Sequence, residues 1–150
     1  MEDTYISLAH GNGGRFMREL IEEVFARHLA NTALDVQADA VPLDLRGEDL
    51  MFTTDGFTVQ PLEFPGGNIG SLAVHGTLND VAMAGAKPLY LSAGFILEEG
   101  FPLADLERIV ESVTRPRLAG GGGASQFPGR QRPGVPCLGK VFGENPWRRL

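Results

Sequence analysis

Apolar and polar positions change their spacing several times along the chain, and each change marks an element. Met17, Leu20, Ile21, Val24, Phe25 and Leu29 recur at helical spacing while Arg18, Glu19, Glu22 and Glu23 face outward, which predicts a helix from about Arg15 that ends before Asn31. Ahead of it, the short apolar run Ile6-Ser7-Leu8-Ala9 leads into His10-Gly11-Asn12-Gly13-Gly14. From Leu34 to Leu45 apolar and polar residues alternate, predicting an extended segment that turns at Arg46-Gly47-Glu48-Asp49. Leu50 to Val59 is β-rich, with Asp55 in its middle, and Pro61 to Gly70 reads as a loop around Pro65-Gly66-Gly67. A second helix is expected from about Ile69 to Ala84, closed by Gly85 and by Pro88 three residues on. Leu89 to Leu97 is apolar on both faces and is therefore expected to be a central strand. A third helix follows Phe101 with Pro102 at its first position, and Leu103, Leu106, Val110 and Val113 form its apolar stripe. That pattern stops at Arg115-Pro116, because proline disfavours helix at the residue before it.

Composition then bounds the class. With 150 residues, 43% of them hydrophobic and 21% charged, the chain suits one globular domain with a real core. The net charge of −6 argues against nucleic acid as the main partner and against adhesion to an anionic membrane. It is unevenly placed, however. Residues 1–113 carry 6 basic and 18 acidic side chains, whereas residues 114–150 carry 7 basic and 1 acidic, together with 5 of the 10 prolines and 8 of the 20 glycines. This tail shows neither helical nor strand periodicity and too few apolar residues to offset the entropy of ordering it, so it is expected to be a disordered segment after a domain of residues 1–113. A basic Gly-rich tail also suits an RNA-binding arm, but Phe127, Phe142 and Trp147 neither interleave with the basic residues nor repeat a motif. One cysteine, Cys137, leaves no internal disulfide, and Met1-Glu2-Asp3-Thr4 lacks the basic and apolar regions of an export signal. A cytoplasmic protein with no membrane partner is the expectation.

Three features can carry chemistry. The glycines of His10-Gly11-Asn12-Gly13-Gly14, set before a helix, let backbone N–H groups approach a phosphate, although an ordinary Gly-rich turn reads the same way and neither the dinucleotide fingerprint nor a P-loop is present. Asp55 is a carboxylate in an otherwise apolar strand, which calls for a hydrogen-bond partner, a proton or a cation; a strand-end Asp facing water is the alternative. Asp80 projects about 20° from Ile69 around the second helix, on the arc shared by Leu72, Ala73, Gly76 and Met83, so its carboxylate is expected to point where the apolar side chains point. The nearest cation, Lys87, lies beyond Gly85. Two such carboxylates fit a hard cation such as Mg²⁺ that bridges to nucleotide phosphates. His28 reads as a packed or edge histidine on the first helix, and His75, about 120° from Asp80, has no assigned role.

Five segments in order, Ile6 to Gly14, Thr53 to Val59, Phe64 to Ala73, Gly76 to Pro88 and Leu97 to Leu106, resemble the hydrogenase expression/formation protein (HypE) family of the aminoimidazole ribonucleotide synthetase superfamily. The resemblance covers residues 4–113. It implies an α+β fold, an N-terminal ATP-binding lobe with a mixed β-sheet flanked by helices. The implied activity is an ATP-dependent carbamoyl dehydration in nickel-iron hydrogenase maturation. A HypF-like carbamoyltransferase loads a carboxamide onto a C-terminal cysteine, ATP phosphorylates the amide oxygen, and loss of phosphate leaves the thiocyanate that supplies the iron's cyanide ligands. Carried over by position, Asp55 and Asp80 would hold Mg²⁺ and phosphate with Asn79 adjacent, and His10, Gly11, Asn12, Gly13 and Gly14 would form the loop that closes over ATP. The family implies a homodimer and contact with other maturation proteins.

The chain also departs from the family pattern. Family members are about twice as long and continue after the third helix with a Gly-Asp-Thr-Lys motif, which residues 114–150 lack. Their reactive cysteine ends the chain, whereas Cys137 lies thirteen residues before the end and does not inherit that role. A truncated, inactive form is therefore expected. The rival readings are a non-enzymatic nucleotide-binding or dimerisation module and a small-molecule kinase of the same superfamily, as thiamine-monophosphate kinase is.

Overall fold

The computed structural model describes residues 3–31, 34–43, 45 and 50–114, and the backbone of 137–144. The chain divides into two compact units, Met1–Asp44 with Leu97–Thr114 and Leu45–Ile96 with Arg115–Leu150.

In the first unit the N-terminal segment pairs with the turn before the last helix. The Ile6 amide donates to the Phe101 carbonyl at 2.8 Å, the Gly100 amide to Ile6 at 2.7 Å and the Leu103 amide to Thr4 at 3.0 Å, around an antiparallel bridge between Tyr5 and Pro102. A single 3₁₀ turn, Leu8–Gly11, then leads through Gly13, at φ 78°, into helix α1, Arg15–Leu20. The helix runs on through a π-helical stretch, Ile21–Ala26, into α2, Arg27–Leu29, ending before Asn31 as the periodicity requires. The stripe read from sequence is the one that packs: Leu20 and Val24 are buried, α2 and the π stretch lie against the helix Leu103–Val113, and Leu106, Ile109, Val110 and Val113 are buried on that helix. Pro102 caps it at φ −64° and ψ 129°, one position earlier than expected, because its own extended ψ keeps it outside the helix.

Leu34 to Leu45, expected as an extended alternating segment, shows no strand at its described residues, 34–43 and 45. Local hydrogen bonds replace a ladder there: the Leu34 amide donates to Asn31 Oδ1 at 3.1 Å and the Gln37 amide to Asp35 Oδ1 at 2.9 Å, the side-chain competition that favours turns. The turn expected at Arg46-Gly47-Glu48-Asp49 lies outside the described residues.

The second unit is a sheet with a helix against it. Strand β1 spans Leu50–Phe57, and the segment expected as a plain loop contains a small hairpin, β2 Glu63–Phe64 with β3 Gly67–Asn68, turned by Gly66 at φ 98°. Helix α3, Ile69–Met83, starts where its cap dictates: Asn68 Oδ1 accepts from the Ser71 amide at 3.1 Å and Ser71 Oγ accepts from the Asn68 amide at 2.9 Å. It stops at Gly85, whose φ of 73° lets its amide reach the Ala82 carbonyl at 2.9 Å while the Ala86 amide reaches Val81 at 3.0 Å. Strand β4, Lys87–Phe95, follows, with a register shift between Pro88 and Tyr90, where proline has no amide to give the ladder. Helix α4 is the Leu103–Val113 helix of the first unit.

The third strand of this sheet comes from the tail. Strand β5, Cys137–Glu144, pairs antiparallel with β1 and with β4, giving the order β1-β5-β4. Within the tail read from sequence as lacking periodicity, these eight residues form a strand. Half of them, Gly139, Lys140, Gly143 and Glu144, are types that strands disfavour, and it is the two ladders, not local propensity, that place them in a sheet. Residues 115–136 and 145–150 lie outside the described residues. The class is α+β as expected. Where a mixed sheet was expected, each described ladder is antiparallel, because β1 and β4 run the same way but are separated by β5 instead of pairing directly. For the same reason β4 is an outer strand of this sheet and not a central one, and Leu89 and Leu91 on it are exposed, as are Leu50, Met51 and Phe52 on β1.

Candidate functional site

The Gly-rich loop belongs to the first unit. Its first residue, His10, is turned inward, with 2% of its side chain exposed. Nδ1 lies 3.0 Å from both the Ser7 amide and Ser7 Oγ, Nε2 lies 3.6 Å from Asp3 Oδ2, and the ring meets Phe16 edge-on with centroids 5.9 Å apart. A backbone amide only donates, so Nδ1 is the acceptor and the ring proton sits on Nε2, facing Asp3. The His10 side chain is thus engaged in anchoring the loop. What the loop offers a ligand is backbone: Gly11, Gly13 and Gly14 are exposed, and the Asn12 side chain folds back to accept from the Gly14 amide at 3.1 Å. Ser7, which holds His10 Nδ1, was not singled out from sequence, and neither was Asp3, which stands 3.6 Å from Nε2.

The carboxylates belong to the second unit. Phe57, Asp55 and Thr53 alternate onto one face of β1, and Gly76 and Asp80, four apart, share one face of α3. These faces meet. The Phe57 ring lies so close to Gly76 that a Cβ there would stand 2.5 Å from Cε1 and Cζ, and Thr53 Oγ1 donates to Asp80 Oδ2 at 3.3 Å. Asp55 lies between these two anchor points on the helix-facing side of the strand. Its Oδ1 accepts from the Gly56 amide at 2.7 Å.

Both aspartates are exposed. For Asp55 that is the water-facing alternative. For Asp80 it corrects the expectation of a carboxylate among apolar neighbours: the buried stripe of α3 is Ile69, Ala73, Thr77 and Val81 with Gly70 and Val74, centred about 60° from Asp80 and about 120° from Met83, which is 87% exposed. Asp80 borders the packed face and does not enter it. Asn79 is exposed beside it. His28, in the first unit, and His75, on α3, are half-buried.

Thr53 is the functional candidate that sequence reading passed over, although strand alternation already put it on the face of Asp55. The donor set is all oxygen: two carboxylates, one of them accepting from the Thr53 hydroxyl. That suits Mg²⁺, which takes one or two carboxylates from protein and fills its remaining positions with phosphate and water oxygens. Among the described residues no group of three or more His, Cys, Asp or Glu is gathered that could hold a metal, so a cation here brings its other ligands with it. No helix among the described residues is long and apolar enough to cross a membrane.

A capped helix laid on a small sheet, with two aspartates and a threonine where they meet, accords with what sequence comparison finds: the chain belongs to the family of AIR synthase related proteins, matching its N-terminal domain over residues 37–116. It is similar in particular to the carbamoyl dehydratase HypE of Azotobacter vinelandii, at 61% identity over 108 residues, which is 72% of this chain and 32% of that protein. Among solved structures it is similar to the hydrogenase maturation protein HypE in complex with ATP, with a TM-score of 0.75 and 41% identity over 92% of this chain and 42% of that one. It is also similar to HypE in the HypE–HypF complex, with a TM-score of 0.52 and 40% identity over 83% of this chain and 42% of that one. The chain spans about a third of the length of the curated relatives it matches. These findings uphold the resemblance read from the sequence.

Proposed function

We propose that the chain forms the nucleotide-binding lobe of an ATP-dependent carbamoyl dehydratase of hydrogenase maturation. The observation that supports this reading is the meeting of β1 and α3, where Thr53 Oγ1 donates to Asp80 Oδ2, with Asp55 two positions further along the same strand. Asp55 and Asp80 would hold Mg²⁺, with Asn79 at the edge of the site. The exposed loop Gly11 to Gly14 would approach phosphate through its backbone, with the Gly14 amide held by Asn12 and the loop secured by His10 against Ser7. When bound with ATP, Mg²⁺ would neutralise phosphate charge and so assist departure of the substrate's amide oxygen as phosphate.

The dehydration itself, in which a cysteine thiocarboxamide becomes a thiocyanate, is a property of the whole protein, of which this chain matches about a third. The solved HypE–HypF complex supports a HypF-like carbamoyltransferase as partner. The exposed Leu50 and Phe52, on the face of β1 opposite Thr53 and Asp55, support a homodimer in which a second copy covers that face, and a cytoplasmic location is part of the same proposal. Calorimetric titration of the 150-residue chain with ATP tests the reading: affinity is expected to rise with Mg²⁺ and to lose at least about tenfold of that rise in Asp55→Asn or Asp80→Asn, the effect of removing a charge-bearing metal ligand. Nucleotide affinity equal with Mg²⁺ and with EDTA, or unchanged in both variants, would overturn it.

A further inference from the structure

We infer that Thr53 is a positioning residue: its hydroxyl fixes the Asp80 carboxylate in the orientation that receives the divalent cation. The inference rests on the nucleotide site proposed above and adds to it a residue that touches neither metal nor nucleotide. Asp80 stands in the last turn of α3, exposed and at the border of the packed face, so packing alone leaves its carboxylate free to turn. Thr53 restricts it. Thr53 Oγ1 donates to Asp80 Oδ2 at 3.3 Å across 27 residues of sequence, which leaves Oδ1 directed away from the bond. The donor is itself stiff, since a β-branched side chain on a strand has restricted χ1 and β1 is held by its ladder with β5. Asp55 follows the same plan, with Oδ1 engaged by the Gly56 amide. Each carboxylate therefore has one oxygen tied to the protein, the preorganisation that a strongly hydrated cation with strict octahedral geometry rewards.

Thr53 is not needed to hold strand to helix. Phe57 seated over Gly76 joins the same two elements through a larger contact, and an exposed hydrogen bond adds little to stability. Removing the hydroxyl should consequently alter cation affinity and not the fold.

The test compares the full 150-residue chain with Thr53→Val, Thr53→Ala, Thr53→Ser and Asp80→Asn. Direct Mn²⁺ binding in the presence of ATP is read by the loss of the free-ion electron spin resonance signal, ATP affinity in EDTA is measured alongside, and thermal unfolding is followed. Thr53→Val and Thr53→Ala are expected to weaken Mn²⁺ about three- to tenfold, as loss of an exposed bond to a charged acceptor implies. ATP affinity in EDTA should stay at the wild-type value, and Thr53→Ser should restore Mn²⁺ affinity. Wild-type Mn²⁺ affinity in both Thr53→Val and Thr53→Ala, with Asp80→Asn impaired, would overturn the positioning role while leaving the nucleotide site intact. Wild-type affinity in Asp80→Asn would remove the site itself. If Thr53→Ser fails to rescue, or if the loss merely follows a fall in melting temperature, the hydroxyl is not what acts and the inference fails.

Discussion

Gly76→Ala puts the packing of the second unit to a test of sign. In an exposed helix interior alanine is better than glycine by about 0.8–1.0 kcal/mol, and Gly76 is a helical residue with ordinary φ, so propensity alone predicts stabilisation. The structure predicts the opposite. The added methyl would stand 2.5 Å from two carbons of the Phe57 ring, whereas carbon atoms in contact settle at about 3.5–4.0 Å, so the ring must retreat by about 1 Å or more. Phe57 is half-buried on β1; displacing it forfeits about 1–1.5 kcal/mol, roughly half of a full phenylalanine burial, and overpacking adds about 1 kcal/mol or more. Net destabilisation of about 1–2 kcal/mol remains after the helix gain, a fall of about 2–8 °C in melting temperature for a chain of this size. Urea unfolding of wild type, Gly76→Ala, Phe57→Ala and the double variant measures it. In the Phe57→Ala background the same glycine replacement should become stabilising by up to about 1 kcal/mol, which makes the coupling between the two sites the quantity of interest. Stabilisation by Gly76→Ala in the wild-type background would show that the ring does not occupy that place and would refute the reasoning.

Asn68→Ala removes the side-chain half of the cap on α3 and should cost about 1 kcal/mol, seen as a shifted urea midpoint with an unchanged slope. His10→Ala deletes a buried ring held by Ser7; hydrogen exchange should quicken across residues 7–14, with amides of α4 unaffected. Phe52, 55% exposed on the open sheet, should tolerate Phe52→Lys with little loss of fold, while light scattering shows a lower mass than wild type if a second copy covers that face.

How much of this was readable beforehand depends on whether the determining interaction is local. Helix α3 was legible to within a residue because Asn68 and Gly85 mark both ends by backbone chemistry that needs no partner. The stripe of α4 was legible because Leu106, Val110 and Val113 repeat at helical spacing, although Ile109, equally buried, was left out of it. Strand β5 was not, since what orders Cys137–Glu144 is the pair of ladders it completes with strands 42 or more positions earlier. Nor was the exposure of Met83, because periodicity locates an apolar arc but not how far along the helix the sheet extends. At the site, Asp55 and Asp80 were found as carboxylates in apolar context. Their partner Thr53 was missed because a threonine in a strand is unremarkable until the helix opposite is known.

The insertion of β5 between β1 and β4 also fixes an order of events during synthesis. Forty-one residues separate Phe95 from Cys137, so both flanking strands leave the ribosome well before the one that joins them. For that interval a nascent chain presents bare β edges that a chaperone would have to shield, and the sheet closes only as a late, long-range step.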